Sequence, residues 1–274
     1  MTAADMTRLE TFFTGYTRRF AGADGLLHPM QQLKVAHSWR VVSNAERIMA
    51  DERWSELHSR VGRGCALLHD VGRFPQYAEF GSFEDHKTIN HAVRGAAVLH
   101  AEGVLAALPD MARETIFMSV RHHNVRELSP DLPADQIGFV HLVRDADKLD
   151  IFRVFEDAVR SGNLQDHPEI AWSLPERGTV NPEILADVFA GRAVEYHLVR
   201  SLCDFVMIQV GWLQGHLHYD AAVALACKRQ ALEFREEYVC ASDNSSAVRD
   251  CFALTRKAMQ ARVGRRSQPT PVQA

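Results

Sequence analysis

From Val35 to Met49 the apolar residues Val35, Val41, Val42, Ala45, Ile48 and Met49 recur at helical spacing, which predicts a helix over this stretch. Gly62 to Val71 is compact and apolar, and Gly72 and Pro75 predict its end. Phe74 to Thr88 mixes aromatic and polar residues without a period and is expected to be a loop. Helical spacing resumes from Ile89 to His100 and breaks near Gly103; Pro109 fits the first turn of a further helix reaching about His123. Asn124 to Pro133 holds two prolines and reads as a loop, and Ala134 to Arg160 predicts one or two more helices. Residues 161–180 look like a long connection, after which helical pattern returns over 181–262. Leu202 to Leu217, with Phe205 and Trp212, has the character of a buried helix. No alternating run suited to a strand and no internal repeat is visible. The fold class expected is therefore all-α: an N-terminal helix within 1–24, a bundle over 25–160, and a C-terminal helical layer of the same domain over 161–262. Residues 263–274, polar and proline-containing, are expected to form a disordered tail.

Composition narrows the function classes. The 274 residues are 46% hydrophobic and 24% charged with a net charge of −4, so no strongly basic field invites nucleic acid or an anionic membrane. A chain of this length buries enough surface to fold without a metal or disulfide staple. The five cysteines (Cys65, Cys203, Cys227, Cys240 and Cys251) form no CxxC pair and are odd in number, which fits thiols in a reducing compartment. The N-terminal MTAADMTRLETFF lacks a basic stretch followed by an apolar run, and no segment approaches roughly 18 uninterrupted apolar residues. A cytoplasmic location is expected, with neither a membrane association nor a stable nucleic-acid complex.

Histidine is the unusual residue, with fourteen in the chain. Imidazole nitrogens and carboxylate oxygens that suit divalent first-row metals recur in the order His37, His69-Asp70, His91, His122-His123, Asp147. In the apolar stretch CALLHDVG, a polar His69 and an ionised Asp70 are costly unless paired or metal-bound. A lone His37 or Asp147 is ordinary; the ordered set within one helical region is not. His28, His58, His100, His141, His167 and His197 are isolated, and His216 and His218 do not share a helical face.

This order resembles the signature of the HD-domain superfamily of metal-dependent phosphohydrolases. ALLHDVGRF is similar to that family's LHDIG[KR] stretch, HAVRGAAVL to its H-x-x-x-G-A-x-x-L helix, SVRHHN to its second histidine-bearing helix end, and RDADKLDIFRV to its closing aspartate segment. The likeness spans roughly residues 25–160 and implies an HD-domain helical bundle of a bacterial, non-GYP subgroup, with an additional C-terminal helical layer. It implies a first metal on His37, His69, Asp70 and Asp147, with Asp70 bridging to a second metal on His91 and His123. Asn124 favours His123 over His122, although His122 is placed to hold a further ion, as a double histidine does in the cyclic-di-nucleotide branch. HHNVRELSP lacks the glycine-tyrosine-proline motif of that branch, which argues against cyclic di-GMP as substrate. Two divalent ions per chain, drawn from Fe, Mn, Mg, Co, Ni or Zn, are expected to activate water against a phosphate ester.

Catalytic roles fall to Asp70, to Arg73, which directly follows the HDVG turn and is placed to bind a phosphate, and to Lys148 beside Asp147. Arg40 is a weaker candidate. Asp150, three residues after Asp147, is placed either to orient a ligand histidine or to form an ordinary ion pair. The loop with Phe74, Tyr77, Phe80, Phe83, Glu84, Asp85, His86 and Lys87 lies between two ligand-bearing segments, either covering the pocket or packed on the core. The partner expected is a small phosphorylated molecule, nucleotides included. Two other classes fit the same residues: a mixed-valent di-iron oxygenase of HD type, and a non-enzymatic nucleotide-binding regulatory module.

Overall fold

The structure is a computed structural model that describes residues 1–162, 164 and 174–266. Among these residues the fold is all-α, with no strand, and no helix is long and apolar enough to cross a membrane. The chain divides into two compact units, Met1–Asp150 and Ile151–Ala274.

The first unit is built on α1 (Ala3–Arg18), α2 (Pro29–Asp51), α3 (Glu56–Leu68), α4 (Arg73–Phe80), α5 (His91–Ala101), α6 (Asp110–His122) and the start of α7 (Ala134–Ser161). Pro29 opens α2, where its missing N–H has no helical partner to lose, and Nδ1 of His28 accepts from the Met30 N–H. Of the apolar positions read from the sequence, Val41, Val42, Ala45, Ile48 and Met49 are buried and form its inner face, and Val35 is half-buried. α3 packs on α2 through Gly62, where a Cβ would sit 2.5 Å from the Met49 sulfur. α3 also packs on α1 and α6, and α5 packs on α6.

Two expectations need correction. Residues 73–80 are helical, not loop. Pro75 is the third residue of α4, inside the first turn, where N–H groups lack intrahelical acceptors in any case. The helix ends at Gly81, whose φ of 65° provides the left-handed cap. Pro109 is the N-cap of α6 and not within its first turn. Between Ala134 and Ser161 there is one continuous helix.

The second unit holds the end of α7, α8 (Pro182–Phe189), α9 (Leu202–Gly211), α10 (Asp220–Lys228), α11 (Ala231–Cys240) and α12 (Ser246–Arg266). Every residue of α9 is buried, the polar Asp204 and Gln209 included, and it packs against α8, α11 and α12. A π-helical turn, Trp212–His216, finishes the segment that the sequence marks as buried. α12 continues to Arg266, so residues 263–266 are helical; the rest of the expected tail, half of the 161–180 connection, His167 and Trp172 lie outside the described residues. All five cysteines are free thiols.

A fully buried arginine holds this unit together. Arg235 donates to Glu156 Oε1 at 2.8 Å, Gln209 Oε1 at 2.9 Å and the Ala231 carbonyl at 2.6 Å, with its guanidinium 4.3 Å from the Phe152 ring centre. Removing one partner of such a pair strands the other. Arg235→Met is therefore expected to destabilise the protein by about 3 kcal/mol, and adding Glu156→Leu to restore most of that loss. Urea unfolding of both variants checks this; an Arg235→Met protein as stable as wild type contradicts it.

Candidate metal centre

Four histidines and three aspartates reach one buried region from five elements. His37 lies in the middle of α2, His69 caps the C-terminus of α3 with Asp70 in the following turn, His91 is the first residue of α5, and His123 caps α6. Asp147 and Asp150 stand nearly one turn apart on α7.

The Nδ1 atom of each histidine faces an oxygen acceptor. His69 and His123 use carbonyls of their own helix ends, Ala66 at 2.7 Å and Val120 at 2.8 Å, where the last turn leaves carbonyls without helical donors. His37 uses Asp150 Oδ2 at 2.7 Å, and Arg40 grips that same carboxylate at 2.7 and 2.9 Å. His91 uses Asp85 at 2.7 and 2.9 Å. Asp85 also accepts from Arg73, Gln76 and Asn124. Carbonyls and carboxylates only accept, so the Nδ1 atoms carry the protons and the Nε2 lone pairs point inward.

These lone pairs converge in two groups that share Asp70: His37 and His69 with one, His91 and His123 with the other. Asp70 Oδ2 lies 3.6 Å from His37 Nε2 and 3.7 Å from His69 Nε2; Oδ1 lies 3.3 Å from His91 Nε2 and 3.8 Å from His123 Nε2. The two Nε2 atoms are 3.3 Å apart in the first group and 3.0 Å apart in the second. Asp147 Oδ1 joins the first group, 3.2 Å from His37 Nε2. Donors that share one ion at about 2.1 Å are separated by roughly 3.0–3.4 Å; both Nε2–Nε2 spacings, Asp147 to His37 and Asp70 to His91 fall in that range, and Asp70 stands slightly beyond it, at 3.6–3.8 Å, from His37, His69 and His123. Lone pairs crowded around a buried carboxylate repel unless a cation lies between them.

Burial pushes His69 down to about 4, and burial with the charge of Arg73 pushes His91 down to about 3, so both stay neutral near pH 7. Burial alone would raise Asp70, but Lys34, His69, His123 and Arg73 outweigh it and hold the carboxyl well below its usual range. Asp147 is likewise held low, burial being outweighed by His37 and His69. His37 is the exception: burial and Lys34 lower it, yet Asp147 and Asp150 carry it upward.

The structure thus gathers His37, His69, Asp70, His91, His123 and Asp147. It does not bring in His122, which is half-buried and belongs to neither group. Successive helical residues point about 100° apart, so the helix end that aims His123 inward turns His122 away. Arg73 also departs from its expected role. Its Nη1 donates to the Phe83 carbonyl at 2.6 Å, Asp85 at 2.8 Å and Gln76 at 2.9 Å, so this group fastens the residue that orients His91. Burial first, then Arg144, lowers Lys148 to about 8 against the pull of Asp145 and Asp147. Of the aromatic residues at 74–83, Phe74 is core and Phe80 exposed, whereas the Phe83 ring faces Lys34 and Arg73. His86 is exposed and pairs with Glu84.

Sequence reasoning missed Lys34, whose Nζ is 3.1 Å from Asp70 Oδ2. Its position three residues before His37, on the same helical face, was the available signal. It also gave Asp85 no specific role, because the acidic residue that meets a histidine across a loop has no fixed spacing. The carboxylates of Asp150 and Asp85, which receive the Nδ1 protons of His37 and His91, lead to a prediction. Asp150→Asn is expected to weaken metal binding at the His37 group by about 10–100-fold, and Asp85→Asn to do so at the His91 group. Calorimetric titration with Mn²⁺ separates the two steps, and isotherms unchanged in both variants contradict the assignment.

Residues 35–151 match the family described as HD domain, a span that contains all six donors. No curated protein and no solved structure matches the chain.

Proposed function

We propose, from the HD-domain match over residues 35–151, that the protein is a metal-dependent phosphohydrolase acting on a phosphomonoester or phosphodiester, nucleotides included. One observation carries the reading: four histidines with their Nδ1 protons committed present Nε2 lone pairs in two groups that divide the two oxygens of Asp70 between them.

His37, His69, Asp70 and Asp147 would hold one ion, and Asp70, His91 and His123 would hold the other. Bound divalent ions supply Lewis acidity, neutralising charge on phosphoryl oxygens and making water acidic enough to attack near neutral pH. The protein's part is to fix this arrangement. The Nδ1 bonds set each tautomer and ring angle, and Arg40 and Arg73 in turn secure the carboxylates that receive two of them. Charge favours an anionic substrate. Asp150 and Asp85 are balanced by Arg40 and Arg73, leaving Asp70 and Asp147 against Lys34 and two divalent ions, a surplus of three positive charges suited to a phosphate. The partner is accordingly a small phosphorylated molecule.

Phosphate or nitrophenol release from nitrophenyl phosphate, its bis-ester and a nucleoside phosphate panel, with Mn²⁺-loaded protein, tests the reading. Turnover above the Asp70→Ala background is expected. Two irons with oxygen uptake and no release would instead assign an oxygenase. Nucleotide binding without metal or turnover would assign a regulatory module.

A further inference from the structure

We propose that Lys34 competes with the first metal ion for Asp70 Oδ2 and, once displaced from it, binds the phosphate group of the substrate; this rests on the phosphohydrolase reading. Lys34 Nζ donates to Oδ2 at 3.1 Å, and that same oxygen lies 3.6 and 3.7 Å from the Nε2 atoms of His37 and His69. The ammonium and an ion held by the first group therefore need one carboxylate oxygen, and two cations on it repel.

Two features make Lys34 the cation that moves. Asp70 has a second cationic neighbour, Arg73, whose Nε is 3.5 Å from Oδ1, but the Nη1 of that guanidinium is tied by three hydrogen bonds. Lys34 has a flexible stem and an alternative seat: its Nζ is already 5.3 Å from the centre of the Phe83 ring, whose face attracts a cation. A displaced ammonium thus stays beside the metal groups, with its side chain only 15% exposed and its three donors available to an oxyanion.

The test uses Lys34→Met and Lys34→Gln in the full chain, with Mn²⁺ and inorganic phosphate as probes. In calorimetry the first Mn²⁺ is expected to bind about tenfold tighter in both variants, because the competing charge is gone. Inorganic phosphate is expected to bind the Mn²⁺-loaded variants about tenfold more weakly. Structural damage does not tighten metal binding, so the gain separates competition from misfolding, and Lys34→Gln serves if Lys34→Met fails to fold. Unchanged constants, or a change in only one of the two, overturn the proposal while leaving the metal centre standing. A wild-type protein that binds no Mn²⁺ overturns both.

Discussion

Replacing Asp70 with alanine is expected to lower ester hydrolysis by about a thousandfold or more and to abolish both metal-binding steps together. No other donor has this position. Oδ2 faces His37 and His69 while Oδ1 faces His91 and His123, so a single truncation opens both groups. Loss of His91 or His123 leaves the His37 group with its carboxylate, and is expected to remove one binding step, not two. Asp70→Asn keeps one oxygen acceptor and should retain weak binding on one side. Steady-state kinetics, a Mn²⁺ titration and a thermal melt on the same samples separate loss of the site from loss of the fold. Retention of activity within about tenfold of wild type contradicts the assignment.

Gly72→Ala is the second large effect, and it acts through shape. Gly72 has an ordinary right-handed backbone, φ −71°, so conformational freedom does not explain the glycine. A Cβ there would lie 2.1 Å from the His91 carbonyl oxygen and 2.5 Å from the Gly95 nitrogen, backbone atoms that cannot rotate aside. The start of α5 must shift, and His91 with it. A loss of about 3 kcal/mol is expected, roughly 6–12 °C in Tm, together with weakened binding at the His91 group. Gly81→Ala is the control. Its φ is +65° but its surroundings are open, so the strain costs only about 1 kcal/mol. Differential scanning calorimetry of both variants tests the contrast; a Gly72→Ala protein that melts with wild type contradicts it.

The candidate metal donors are legible because they are polar residues set in apolar helices, where burial without a cation is costly. Helical phase resolves His123 from its neighbour His122 once the end of α6 is known. Asp150, three residues from Asp147, is legible either as an orienting residue or as an ion-pair partner, and the structure shows it in both contacts, with His37 at 2.7 Å and with Arg40 at 2.7 and 2.9 Å. What the pattern hid was tertiary. Gly72 reads as a helix stop, yet its small size serves the approach of α5. Pro75 reads as a breaker, yet it sits in the one turn of a helix that tolerates it. Arg73 reads as a phosphate ligand because it follows the HDVG turn; only the folded loop shows Asp85 and the Phe83 carbonyl receiving it.

The central claim is that one carboxylate organises two metal ions. Metal content per chain, measured by elemental analysis on anaerobically purified wild-type and Asp70→Ala proteins after dialysis against Mn²⁺, tests it most directly. The account predicts two ions per wild-type chain, matching the two donor groups, and none in the variant. A wild-type chain without metal, or an Asp70→Ala chain that keeps both ions, would contradict it.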